Sequence, residues 1–153
     1  MSTPSNTIRH EEDQLTMKRI SVAIGDETVF GHLFEDKAPA ATESLWDALP
    51  ITVELRHARR SGNAAYSVVP PLRSAGLIVE NQVSFCYPGS ICLIPESSTL
   101  LWSYGQTQAR TERGNVWATH LGEVDGESSD FFALLAQTQR RGVSSMTIAR
   151  MED

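Results

Sequence analysis

No apolar run in this 153-residue chain approaches the ~18 residues that a membrane-spanning helix needs. The N-terminus, "MSTPSNTIRHEEDQLT", lacks the apolar stretch of a signal peptide. It reads as a disordered tail over residues 1–16, ahead of one domain over 17–150, and the expected compartment is the cytoplasm. Cysteine is scarce: only Cys86 and Cys92. Such a pair is no disulfide framework, and in a reducing compartment both should be thiols. A lone pair at this spacing is also no zinc signature, which needs tighter pairs and two further ligands. There is no glycine-rich phosphate loop, no Gly-x-Ser-x-Gly elbow and no catalytic-cysteine context. No metal and no cofactor is therefore expected.

Positive charge is short as well. The net charge is −6 and the pI is near 5.2, which argues against nucleic acid or an anionic membrane as partner. The balance is uneven, however. Residues 56–113 hold six Arg against three Glu, and the remainder is strongly acidic. A basic centre in an acidic shell suits a small anion better than a polyanion, because a polyanion meets the shell first.

What is present is a succession of short strand patterns. "RISVAIGDETVFGHLF" alternates around a Gly25-Asp26 turn and predicts a hairpin. In "DKAPAATESLWDALP" the period changes. Ala41, Leu45, Ala48 and Leu49 fall at helical spacing, Pro39 suits the first turn and Pro50 ends it. Strands are predicted over 51–60 and 64–69, in several short pieces between 77 and 105, over 115–124 and after 142. "PPLRSAG" and "TQARTERG" read as loops. "SSDFFALLAQTQRRG" predicts a second helix, capped by Ser128 or Ser129, lined by Phe131, Leu134, Leu135 and Thr138, and stopped by Gly142. Strands that mostly follow strands point to a mainly β fold, a barrel or sandwich, with two helices over its open ends.

The densest basic cluster, Arg56, His57, Arg59 and Arg60, ends the strand "ITVELRHARR". Alternation puts Ile51, Val53, Leu55, His57 and Arg59 on one face, the apolar one. A desolvated guanidinium without a partner is costly. Three readings stay open. The strand end is solvated; or Arg59 pairs with Glu54, Glu80 or Glu96; or Arg59 lines a wet pocket at the barrel mouth and clamps a carboxylate. In the last reading His57 is the acid/base candidate, because its unperturbed pKa near ~6.5 lets it exchange protons at neutral pH. Glu96 is a second catalytic candidate, and Ser61, Tyr87, Tyr104 and Asn115 are ligand contacts. A different reading is a non-catalytic homo-oligomeric module, with Arg56 and Arg60 meeting the acidic surface of a second copy. His120, Trp46 and Trp117 read as structural, and His32 is assigned no role.

"DKAPAATESLWDALP" resembles the first helix of cyclophilins, which follows an opening hairpin. The chain more closely resembles an uncharacterised bacterial and archaeal family of single-domain cyclophilin-like proteins. The motifs that carry this are "WDALP" (46–50), "HARRSG" (57–62), "YPG" (87–89), "YG" (104–105) and "GNVWA" (114–118), in order along the domain. The resemblance implies a closed eight-stranded β-barrel capped by two α-helices. It implies prolyl isomerase chemistry only weakly, because "AYSVVPPL" stands where cyclophilins carry a glutamine-containing active-site strand. Cucumopine synthase, which condenses an amine with a keto acid, resembles the same barrel class.

Overall fold

The computed structural model describes residues 17–151, so the tail expected over 1–16 lies outside the described residues. The elements are β1 (Arg19–Ile24), β2 (Glu27–Leu33), α1 (Pro39–Ala48), β3 (Ile51–His57), β4 (Gly62–Val68), β5 (Gln82–Val83), β6 (Phe85–Cys86), β7 (Ser90–Ile94), β8 (Thr99–Gln108), β9 (Arg110–Thr111), β10 (Gly114–Asn115), β11 (Ala118–Val124), α2 (Ser129–Arg141) and β12 (Ser144–Arg150). The strands run in the order β2-β1-β12-β3-β4-β8-β7-β11, and β11 pairs back onto β2. The result is a closed, antiparallel eight-stranded barrel with two helices. β5 and β6 add short edges to β11 and β8, and β9–β10 is a separate small hairpin.

Alternation sorts the side chains into two populations. Ile20, Val22, Leu33, Leu55, Leu100, Trp102, Leu121, Met146 and Ile148 fill the interior. Ala41, Leu45 and Leu49 at α1, and Phe131 and Leu135 of α2, pack into the same core. This is why the apolar stripes of both helices were visible in the sequence. The largest inward side chain, Trp102, donates its indole N–H to Ser67 Oγ at 3.1 Å, so the buried polar atom is satisfied. A smaller cluster lies outside the barrel wall: Cys86, Cys92, Ile94, Leu101, Ala109 and Ala118, under the segments that carry β5, β6, β9 and β10. Both cysteines are buried free thiols, as expected. The Cys92 thiol donates to Ser90 Oγ at 3.8 Å. The neighbouring Cys92 holds the Cys86 thiol below the ordinary range, and Cys86 together with burial pushes Cys92 up.

Several local expectations are corrected. The strand begun at Ile51 ends at His57, not at residue 60, because the chain bends at Arg59-Arg60 and turns through Gly62 (φ +99°). A side chain at residue 62 would also lie 2.7 Å from the Gln106 backbone oxygen, so glycine is required there twice over. "PPLRSAG" is a 3-10 turn over Pro70–Ala75, entered by two prolines with suitable φ. "TQARTERG" is not a loop throughout: β8 runs on to Gln108 and the β9–β10 hairpin begins at Arg110. Ser128 occupies the N-cap position of α2, but its hydroxyl donates to the Asp125 carbonyl instead of capping the helix.

Barrel closure brings two backbones close together. Only Gly31, His32 and Leu33 pair with Val124, Glu123 and Gly122. A Cβ at Gly31 would sit 2.7 Å from the Glu123 backbone oxygen, and one at Gly122 would run into the His32 backbone oxygen. Gly122→Ala should therefore destabilise the protein by about 1–3 kcal/mol, the usual cost of overpacking a rigid site. Urea denaturation measures this. An unchanged midpoint would show that the two strands can part freely.

Candidate functional site

The sequence-predicted residues separate onto three surfaces. His57 pairs with Ala65, and Ala65 pairs with Trp102, so His57 shares the inward face of the barrel wall. Tyr104 lies two residues beyond Trp102 on β8, on the same face. The two meet at the barrel end: His57 Nε2 and Tyr104 Oη are 2.7 Å apart, and His57 Nδ1 is 2.8 Å from the Ala58 carbonyl. A carbonyl only accepts, so Nδ1 carries the proton. In the neutral ring Nε2 is then the acceptor, and Tyr104 donates to it. Burial pushes the Tyr104 phenol above its ordinary pKa.

Arg59, Ser61 and Glu96 lie elsewhere, in a cleft of about 420 Å³ on the outside of the wall. The face is fixed by register: Tyr66 pairs with Leu101, one residue out of phase with the inward pair Ala65–Trp102. Tyr66, Leu101 and Ile94 form the apolar floor, the β3–β4 turn supplies Arg59, Arg60 and Ser61, and the turn after β7 supplies Glu96 and Ser97. The β9–β10 hairpin supplies Arg110, Thr111, Glu112 and Arg113. Arg59, expected at the barrel mouth, thus lies in a cleft on the outer wall. Arg59 is exposed there because the strand ends before it, so alternation no longer applies.

The ion pairs expected for Arg59 go to other groups. Glu54 takes Arg56 at 3.0 Å. Glu80 caps α1, accepting from Ala41 N at 2.9 Å and Ala40 N at 3.3 Å. Glu96 faces Arg113 at 3.9 Å, beyond hydrogen-bond length. Among the described residues Arg59 has no carboxylate within 4.0 Å. Asn115 does not line the cleft. Its Oδ1 accepts from Arg110 Nε at 2.7 Å across the hairpin, and Arg110 Nη1 also donates to the Arg60 carbonyl at 3.4 Å. Asn115 therefore positions an arginine that lines the cleft. Arg110, Arg113 and Tyr66 were not singled out in the sequence. The charge of "ARTERG" was the available signal, but its reading as a loop gave no reason to bring it to Arg59.

Tyr87 belongs to a third surface, the outer side of the β2–β11 seam. Its hydroxyl donates to Glu123 Oε2 at 2.6 Å. Glu123 Oε1 is 3.4 Å from His32 Nε2, and His32 Nδ1 is 2.6 Å from Asp125 Oδ1. Phe34 stacks edge-on between the His32 and His120 rings, and Tyr87 covers the other side of His120. Burial holds the His120 imidazole below its ordinary pKa, and its Nε2 is buried with no hydrogen-bond partner among the described residues. Among the described residues no three His, Cys, Asp or Glu side chains are arranged to hold a metal ion.

Partial burial, then the bond to Glu123 and its charge, push the Tyr87 phenol far above its ordinary pKa of 10.0. The consequence has a definite sign. The unfolded chain loses these phenolic protons first, so their contribution to stability is intact below pH ~10 and declines as pH rises beyond it. Tyr87→Phe should therefore lose less stability than the wild type between neutral pH and strongly alkaline pH. Urea denaturation at several pH values measures it, and identical pH profiles would show that Tyr87 is neither buried nor bonded to Glu123 in solution.

Comparison with known proteins agrees with the barrel. Among proteins of curated function none is significantly similar. Among solved structures, the chain is similar to McbB in complex with tryptophan, with 18% identity and a TM-score of 0.71 over 88% of this chain. It spans less than half of that protein, 45% of its length. It is similar to the hypothetical protein AF2241 from Archaeoglobus fulgidus, with 14% identity and a TM-score of 0.63, covering 88% of this chain and 95% of that one. A cyclophilin-type peptidyl-prolyl cis-trans isomerase of Cryptosporidium parvum shares 9% identity with a TM-score of 0.55, covering 90% and 99%. At these identities the likeness is one of fold, and it makes the barrel cyclophilin-like. At the level of sequence, a family model described as "protein of unknown function (DUF3830)" matches residues 20–150, and the chain belongs to that family.

Proposed function

We propose that this protein binds a small carboxylate-bearing molecule in the outer-wall cleft. One observation carries the reading. Four guanidinium groups, Arg59, Arg60, Arg110 and Arg113, line one open cleft, and Arg59 has no carboxylate partner among the described residues. An arginine fork matches a carboxylate with two parallel hydrogen bonds. Arg110 is already held by Asn115 and the Arg60 carbonyl, so little conformational freedom is lost when a ligand arrives. The cleft volume lies within the range of small-molecule sites. The tryptophan held by McbB is in keeping with a small acid on this fold. The reading assigns binding. Glu96 is the titratable candidate that lines the cleft, whereas His57 is engaged with Tyr104 on the other side of the wall.

A second reading, a homo-oligomeric module, draws on a different observation. Ile78, Phe85 and Trp117 are 78%, 66% and 55% exposed. The charge-based version of that reading is weaker, because Arg56 pairs with Glu54 on its own strand.

Thermal shift with short carboxylates and keto acids tests the first reading. Ligand at ~100 times its dissociation constant should add about 2.7 kcal/mol of stability. The double variant Arg59→Ala/Arg110→Ala should keep its unliganded melting temperature within a few degrees and lose that increment. If carboxylates raise the melting temperature of both proteins equally, the cleft is not the site. Light scattering tests the second reading, and a monomer at every concentration removes it.

A further inference from the structure

Resting on the carboxylate reading, we infer that the ligand is a zwitterionic α-amino acid with a bulky apolar or aromatic side chain. Size is the first argument. A cleft of about 420 Å³ is far larger than a carboxylate needs, so most of the ligand meets something other than arginine. The floor is what it meets: Ile94 and Leu101 are buried, and the ring of Tyr66 lies beside them. A flat apolar body laid on this floor removes apolar surface from water, and an aromatic ring gains further by stacking on Tyr66.

Charge is the second argument. The cleft is not purely cationic, since Glu96 and Glu112 line it as well. Glu96 is half exposed and stands 3.9 Å from Arg113, so no close ion pair uses up its acceptors. A site for dianions would suffer from these carboxylates. An ammonium group on the ligand turns the same repulsion into a charge-assisted hydrogen bond. The carboxylate then lies with Arg59, Arg60 and the pinned Arg110, the ammonium with Glu96, and the side chain lies along the floor between them. Both charged ends and the apolar body find a counterpart only in such a molecule.

The test is calorimetric titration at low ionic strength with five matched probes: L-phenylalanine, 3-phenylpropionate, phenethylamine, L-alanine and succinate. Wild type, Glu96→Gln and Arg59→Ala are compared. L-phenylalanine should bind the wild type at least about tenfold more tightly than 3-phenylpropionate or succinate, since one charge-assisted bond amounts to about a factor of ten or more, and more tightly than L-alanine, which lacks the apolar body. Phenethylamine should be weakest. Glu96→Gln should bring L-phenylalanine down to the level of 3-phenylpropionate without weakening the latter. If 3-phenylpropionate matches L-phenylalanine in the wild type, or succinate or L-alanine binds as tightly, the inference is overturned and the carboxylate reading stands. If none of the acids binds, or Arg59→Ala changes nothing, the carboxylate reading falls and the inference with it.

Discussion

Everything in this molecule is referred to an inside and an outside, and that distinction exists because β2 and β11 touch. Their contact is three residue pairs long and passes through Gly31 and Gly122, neither of which has room for a Cβ. Close approach of two backbones is one of the few tasks that only glycine performs. With the seam closed, the sheet has no free edge along the barrel circuit, and each strand must send alternate side chains into a sealed interior. Trp102, Leu100 and Leu55 go in, and Tyr66 and Leu101 stay out.

The division explains why neighbours in the sequence do not share a task. His57 and Arg59 are two positions apart, yet one hydrogen-bonds to Tyr104 on the inner face and the other lies in the outer cleft. The chain bend beyond His57 separates them. The electrostatics follow the same plan. The protein is acidic overall, but the turn after β3 and the β9–β10 hairpin bring four arginines to one place. The cleft is thus a local concavity whose arginines oppose in sign the charge of the whole molecule.

Much of the fold was legible because its signals are local. The Gly25-Asp26 turn, the helical spacing of Ala41 and Leu45, and the stripe of Phe131, Leu135 and Thr138 each depend on residues a few positions apart. A mainly β barrel or sandwich followed from these, and the resemblance to cyclophilin-like proteins narrowed it to a closed barrel. The site was less legible, since its members are joined by register. The end of β3 is set by its pairing with β4 and by the left-handed turn at Gly62, and alternation cannot be carried past a strand that has stopped. Glu80 was a reasonable partner for Arg59 by charge, yet it caps α1. The association of His32 with Glu123 and Asp125 arises from the closing pair β2–β11, which spans most of the chain and leaves no periodic trace. Tyr87 was read as a ligand contact through its hydroxyl, and no pattern in the sequence says that the hydroxyl goes to Glu123.

The first and last strands of the barrel are neighbours. β1 and β12 run antiparallel, and Met151 N donates to the Arg19 carbonyl at 2.9 Å. No strand therefore owes its place to coming first or last in the chain. A short linker from residue 151 to residue 19 would join the two without crossing the barrel, and the Gly25-Asp26 turn, where nothing crowds the backbone, offers an opening elsewhere. The architecture is in this sense a ring of eight strands, closed between β1 and β12 as it is between any other neighbours.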